Sequence, residues 1–245
     1  MNIDGTRTPL CHVLAGLMLA ASFPVAAEEF ECLLEPHEIV NVSSPVAGVL
    51  DTVAVERDDP VRKGQVIATL KSDVEQASVD LSRARAEFGQ RKMVRNEELI
   101  QQSLISPSEK DELETDARVA ELELKQAEAV LKQRTIRSPV NGVVVERFLS
   151  AGEFVQNEPI LKIAELNPLN VEVIIPASRF GNIHKGMKAT VKPQVLVDEG
   201  FEARVVIVDR VVDAASSTVG VRLELPNPDY RIPAGLKCIV TFPDH

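Results

Sequence analysis

The stretch "SSPVAGVL" at residues 43–50 returns, little altered, as "RSPVNGVV" at residues 137–144. Subtracting 44 from 138 gives an offset of 94. At that offset Ser44, Pro45, Val46, Gly48 and Val49 meet Ser138, Pro139, Val140, Gly142 and Val143. The match continues without a gap, since Val61 meets Val155 and Val66 meets Ile160. A fixed internal offset marks one small unit written twice. Both copies read as short β-strands rich in Val and Ile and broken by Pro and Gly: "GVLDTVAV" and "QVIATL", then "GVVVERFL" and "ILKIA". In the turns between them Gly152 meets Asp58. Gly in one copy and Asp in the other predict a turn with left-handed backbone, which Asp tolerates better than most side chains.

Residues 72–134, between the copies, carry a helical pattern. "SDVE" at 72–75 has the form of a capping box; "SPSE" at 106–109 is a second, with Pro107 at the first helical position. Val74, Ala77, Leu81, Ala84 and Phe88 recur at steps of 3 and 4 in the first arm. Leu113, Ala117, Ala120, Leu124, Ala127 and Leu131 do so in the second. Such a seven-residue repeat predicts a coiled-coil seam. The first arm loses this seam towards its end, where Arg91 and Arg95 fall on it, and Gly89 weakens the helix. Arms of about 32 and 28 residues, roughly 48 and 42 Å at about 1.5 Å per residue, joined by "SLIS", predict an antiparallel hairpin.

A half-unit of this size cannot bury its own apolar face, so the two copies are expected to close on each other. The feet of the insert, near 71 and 135, then lie close together, and the hairpin projects from one end. After residue 165, "LNVEVIIP", "MKATVKP", "FEARVVIVDRVV", "TVGVRLEL" and "LKCIVTF" predict five or six strands in a small barrel or sandwich. The expected fold class is α+β, modular and elongated. Its parts are residues 28–71 plus 135–166 as one split β unit, 72–134 as the hairpin, and 167–245 as the barrel.

Composition narrows the function. A net charge of −10 argues against a nucleic-acid phosphate backbone. No Trp and a single Tyr argue against stacking platforms for bases. Arg7, the apolar run Leu10 to Ala21, and Val25 and Ala27 before Glu28 predict an export signal over 1–27. Cys11 leaves with it. Cys32 and Cys238 remain, as one disulfide in an oxidising compartment or as two buried thiols. The His residues are scattered, and no HExxH, GxSxG or phosphate-cradling Gly loop is present. Catalysis and a bound cofactor are therefore not expected.

The halves "SSPVAGVLDTVAVERDDPVRKGQVIATL" and "RSPVNGVVVERFLSAGEFVQNEPILKIA" look like a split lipoyl domain. With a hairpin between them and a barrel after them, residues 30–243 resemble the periplasmic adaptor subunits of tripartite efflux pumps, the membrane fusion proteins of the HlyD/AcrA-like family. The resemblance implies a non-catalytic linker between an inner-membrane transporter, of the resistance-nodulation-division (RND) class, and a TolC-type outer-membrane channel. It implies a periplasmic protein, held at the inner membrane through its transporter and self-associating into a ring, trimer or hexamer. Adaptors of this family dock on the channel through an Arg, a Leu four residues on and a Ser seven beyond. In "RNEELIQQSLIS" these are Arg95, Leu99 and Ser106. Each also has a plain reading: a solvated charge, a residue closing the hairpin core, and an N-cap.

Fuller members return from the barrel into a membrane-proximal domain. This chain ends just past a barrel strand, so that domain is expected to be absent. Pump contact then falls to the barrel and its loops around "ASRFGNIHKG" and "PQVLVDEG". Two other readings stand beside this one. An adaptor of an ABC-type or metal-efflux exporter keeps the architecture. A lipoyl or biotin carrier needs a lysine at the turn linking the halves, where this chain has 72–134 instead.

Overall fold

The computed structural model describes Met1 and residues 28–102, 104–195 and 199–243. Apart from Met1, the expected export signal lies outside the described residues. The chain runs β1 (Glu29–Ser43), β2 (Gly48–Val53), β3 (Pro60–Val61), β4 (Val66–Leu70), α1 (Asp73–Gln101), α2 (Pro107–Lys132), β5 (Thr135–Arg137), β6 (Gly142–Arg147), β7 (Phe154–Val155), β8 (Pro159–Pro176), β9 (Lys188–Pro193), β10 (Phe201–Val208), β11 (Thr218–Leu225) and β12 (Lys237–Thr241).

The two copies pair with each other by a rule that survives exchanging them. β3 pairs with β6, Pro60 opposite Val143 and Val61 opposite Gly142. Shifted by the sequence offset, the same pairs recur between β7 and β2, Phe154 opposite Val49 and Val155 opposite Gly48. The Asp58 N–H donates to the Val144 carbonyl at 2.8 Å, and the Gly152 N–H to the Leu50 carbonyl at 2.7 Å. Asp58 and Gly152 have φ of 77° and 92°, the left-handed backbone expected of that turn. The exchange extends to side chains. Asp59 Oδ2 accepts from the Glu56 N–H at 2.7 Å, and Glu153 Oε2 from the Ser150 N–H at 2.6 Å. One buried core takes Val42, Leu50, Val61, Ile67 and Leu70 from the first copy and Ile136, Val144, Val155, Ile160 and Ile163 from the second. Residues 43–70 and 137–164 are thus a single body.

α1 and α2 leave and re-enter this body side by side and antiparallel, with ion pairs Arg83–Glu128, Arg85–Glu123 and Lys92–Asp116 across them. In α2 the inward residues are those the spacing picks out: Leu113 is buried, and Ala117, Ala120, Leu124, Ala127 and Leu131 are half-buried. In α1 the expected seam is displaced. Val79 and Ser82 are buried, with Glu75, Ala86, Gly89, Met93, Asn96 and Ile100 half-buried on the same line, again at steps of 3 and 4. The expected residues Val74, Leu81 and Phe88 are 77%, 55% and 56% exposed. Arg91 and Arg95 therefore interrupt nothing. Gly89 has a packing role: a Cβ there would lie 3.2 Å from Ala117 Cα, so its bare backbone lets the helices approach. The two capping boxes also differ. Ser106 Oγ accepts from the Glu109 N–H at 3.2 Å, with Pro107 opening α2. Ser72 makes no such bond, and Glu75 turns to Arg134 instead.

The second core lies in a closed ring of six strands, β1–β12–β9–β10–β11–β8, with β8 pairing back to β1. Five of these strands come from the residues after 165. The sixth is the first half of β1, where Glu29–Leu33 pair with β12 and Cys32 and Leu34 enter the barrel core. The start expected for the split unit, residue 28, thus falls on a barrel strand. β11 shows the cause of closure, since Val219, Val221, Leu223 and Leu225 alternate inward along a period-2 strand. Cys32 and Cys238 are register partners across β1 and β12, 4.8 Å apart at Cα, and are joined by a disulfide.

β1 and β8 run through both bodies. β1 pairs with β8 from Cys32 to Pro36 in the barrel and from Glu38 to Ser43 in the split unit, with a bulge between Pro36 and Glu38. Asn170 Nδ2 lies 3.3 Å from both carbonyls of the bulge, Pro36 and His37. Buried Asn227 donates to the Leu166 and Ile232 carbonyls and accepts from the Ile232 N–H, while its own N–H donates to Asn167 Oδ1. These amides satisfy backbone groups where the strands change bodies.

Candidate functional site

The far end of the helix pair is built by the way each helix stops. The Gln102 N–H donates to the Glu98 carbonyl at 3.0 Å and the Leu104 N–H reaches back five residues to the Leu99 carbonyl at 2.9 Å, which caps carbonyls at the end of α1. Ser106, in extended backbone, then starts α2. All three residues expected at the tip sit on this end. Arg95 and Leu99 lie about one turn apart on one face of α1. Ser106 lies across the turn. Arg95 is exposed and makes no ion pair among the described residues. Leu99 is 39% exposed. Ser106 Oγ is already engaged as an N-cap acceptor, so what it offers outward is its hydroxyl hydrogen. A fourth residue escaped the spacing argument. Leu104, inside "SLIS", is 65% exposed and adds more apolar surface to the tip than Leu99 does. The signal was available, since an apolar residue in a short polar turn has no core to enter. A cation beside two exposed leucines can bury apolar surface and donate hydrogen bonds in one contact, the chemistry of a protein-docking tip.

The root fixes where the tip points. The Arg134 guanidinium meets Glu75 Oε1 at 2.6 Å and the Ala47 carbonyl at 3.0 Å, tying the end of α2 to the first turn of α1 and to the repeated loop of the first copy. The Glu75 carboxyl lies below its ordinary pKa, held there first by its own backbone N–H and then by the hydrogen bond and charge of Arg134.

At the free end of the barrel, Phe30 and Phe242 meet edge to face with centroids 5.9 Å apart. An Arg179–Glu28 ion pair lies beside them. Of the two loops expected to meet the pump, "ASRFGNIHKG" begins with a short 3-10 turn at Ala177–Arg179 and exposes Phe180. "PQVLVDEG" includes 196–198, outside the described residues. Among the described residues no helix is long and apolar enough to cross a membrane.

Known proteins share this arrangement. Residues 38–165 match the family of CzcB-like barrel-sandwich hybrid domains, and residues 169–245 the family of CusB-like β-barrel domains. The chain belongs to the membrane fusion proteins. Members of this family are non-catalytic linkers. Among similar proteins are the toluene efflux pump periplasmic linker protein TtgA of Pseudomonas putida, 21% identical over 82% of this chain and 56% of TtgA, and the cobalt-zinc-cadmium resistance protein CzcB of Cupriavidus metallidurans, 23% identical over 84% of this chain and 42% of CzcB. The fold is also that of a MacA–MexA chimera carrying the Pseudomonas aeruginosa MexA α-hairpin domain. Its TM-score is 0.72 at 18% identity, over 89% of this chain and 82% of the chimera. The chain spans about half the length of the curated relatives it matches. The boundary between the two family matches falls where β8 of this membrane fusion protein passes from one body to the other, beside Asn167 and Asn170.

Proposed function

We propose that this membrane fusion protein is a periplasmic adaptor joining an inner-membrane efflux transporter, of the RND class, to a TolC-type outer-membrane channel in the export of small molecules. Residues 1–27 direct it out of the cytoplasm and are removed. Residues 37–71 with 135–166 act as a lipoyl-like ring element, 72–134 as a coiled-coil hairpin, and 167–245, closed by the strand at 29–36, as the barrel that meets the transporter. Several copies, three or six, surround the pump axis, and the transporter supplies the energy.

The observation that carries this reading is the exposed tip of Arg95, Leu99 and Leu104 at the end of a helix pair anchored at its root by Arg134. That architecture suits a part that reaches from one partner to another. Docking through Arg95, Leu99 and Ser106 is tested by Arg95→Ala with Leu99→Ser. Interface hot spots cost about 2 kcal/mol or more each, so the double change is expected to weaken the joint about a thousand-fold. In a strain lacking its own copy, the variant should fail to restore efflux-dependent resistance while far-UV circular dichroism stays unchanged. Full resistance would remove tip docking.

A metal-exporting pump is the second reading, favoured by the likeness to CzcB. Co-purification of the transporter with the native protein decides between them.

A further inference from the structure

Where the split unit meets the barrel, a cleft of about 620 Å³ is lined by Arg62, Gln65 and Asn141 from one body and by Asn167 and Tyr230 from the other. Its three amides have their oxygens already engaged. Gln65 Oε1 accepts from the Arg62 N–H at 2.9 Å, Asn141 Oδ1 from the Lys63 N–H at 3.0 Å, and Asn167 Oδ1 from the Asn227 N–H at 2.9 Å. A backbone N–H can only donate, so each of these bonds fixes which end of the amide is oxygen. The NH2 ends are left over, and none of them makes a hydrogen bond among the described residues. Arg62 adds a guanidinium with no ion pair among the described residues. Nearby Asp59 is already bound to the Glu56 N–H, and no carboxylate lines the cleft. In a chain of net charge −10, this is a local cluster of donors.

Two further observations separate the cleft from the plain needs of the fold. Tyr230, the single Tyr of the chain, is half-buried with a φ of 54°. Left-handed backbone is costly for so bulky a side chain, and residues held this way gather at binding positions. What holds it is buried Asn227, whose carbonyl accepts from the Tyr230 N–H at 3.2 Å and whose side chain donates to the Leu166 and Ile232 carbonyls. The repeat supplies the second observation. At its offset of 94, Arg62 corresponds to Gln156 and Asn141 to Ala47. The unit closes with Gln and Ala at those places, so its strands demand neither Arg62 nor Asn141.

We propose that this cleft binds a small organic anion, a carboxylate or phosphate group carried on a flat apolar body. The oxyanion only accepts, and the amide NH2 groups and the Arg62 guanidinium only donate. The body of the ligand lies against the Tyr230 ring. A neutral sugar donates as well as accepts, and here the amide oxygens are turned to the backbone. The volume is that of an organic ligand site and far exceeds what a bare inorganic ion fills. Because the donors come from both bodies, the bound anion spans the split unit and the barrel. The inference goes beyond the adaptor reading and does not rest on it.

The test follows the amide signals of the purified full-length protein by NMR while phenyl phosphate or benzoate is added. The side-chain NH2 signals of Gln65, Asn141 and Asn167 are expected to shift together and to saturate. Phenol keeps the ring and loses the charge; inorganic phosphate keeps the charge and loses the ring. Each should bind about tenfold or more weakly than phenyl phosphate. Whichever of phenyl phosphate and benzoate binds tighter names the preferred oxyanion, and either order supports the site. Arg62→Gln and Asn141→Ala install the residues of the other copy, so both variants should keep the wild-type spectrum away from the cleft. Each is expected to weaken binding about tenfold, as loss of one hydrogen bond to a charged group does. No saturable shift with either anion, phenol or inorganic phosphate binding as tightly as phenyl phosphate, or undiminished binding in both variants would each overturn the proposal. The comparison among ligands needs only the wild-type chain, and no pump is present, so this result and the tip test fail independently.

Discussion

Arg134 stands where both helices and the first copy of the repeat meet, and it is among the least exposed arginines of the hairpin. The pairs farther out, Arg83–Glu128, Arg85–Glu123 and Lys92–Asp116, are about half exposed, so each contributes little to stability and mainly sets level and direction. Glu75 differs because its carboxylate accepts its own backbone N–H and the Arg134 guanidinium together. Its folded-state pKa is therefore depressed. A depressed carboxyl contributes stability that is present above the unfolded-state pKa and is lost as pH falls through the folded one. Glu75→Gln is expected to lower the melting temperature of the helix pair at neutral pH and to flatten its decline in acid. The wild-type and variant curves then converge once Glu75 is protonated. Thermal melts followed by far-UV circular dichroism from neutral to acid pH check this; parallel curves would show that the carboxylate has no such effect.

At the scale of elements, the two stripes of α1 make opposite demands. Val79 is buried against α2, while Leu81, two residues on, faces outward. Val79→Asp is expected to destabilise the helix pair by about 3 kcal/mol, because a charge enters the seam and a packed side chain leaves it. Leu81→Asp should leave the helicity of the isolated copy intact. Equal losses from both would mean that the seam passes through Leu81 after all. This contrast also explains what the sequence could reveal. The α2 seam was legible because every one of its positions is apolar. The α1 seam was not, because its inward line includes Glu75, Ser82, Gly89 and Asn96, of which Glu75 is held by Arg134, Gly89 by its close approach to Ala117 and Asn96 by the Lys92 carbonyl, while its outer stripe is the more apolar. Pattern alone selects the greasier line. The tip triad was legible as a spacing, but Leu104 was hidden in a turn, where periodicity has no meaning.

For the whole molecule, the repeat offset fixed one core in advance, because matched Ser-Pro-Val and Gly-Val positions survive any reading of the strands between them. The barrel was harder to foresee. Its sixth strand comes from residues that precede the split unit, and a single strand serving two bodies leaves no break in composition. That strand makes the barrel depend on both chain ends. β1 is held to β12 by the Cys32–Cys238 bond, which spans a sequence separation of 206. Closing so long a loop removes much of the freedom of the unfolded chain. Cys32→Ser with Cys238→Ser is therefore expected to lower stability by about 2–5 kcal/mol, seen as a fall in the guanidinium midpoint, and reductant should bring the wild type to the same value. Thiol labelling of the unfolded wild-type chain should rise by two on adding reductant, and β12 should become the first barrel strand to exchange its amides when the bond is gone. A midpoint indifferent to both changes would mean that the register of β1 with β12 alone holds the barrel shut, and that the protein keeps its shape under reducing as well as oxidising conditions.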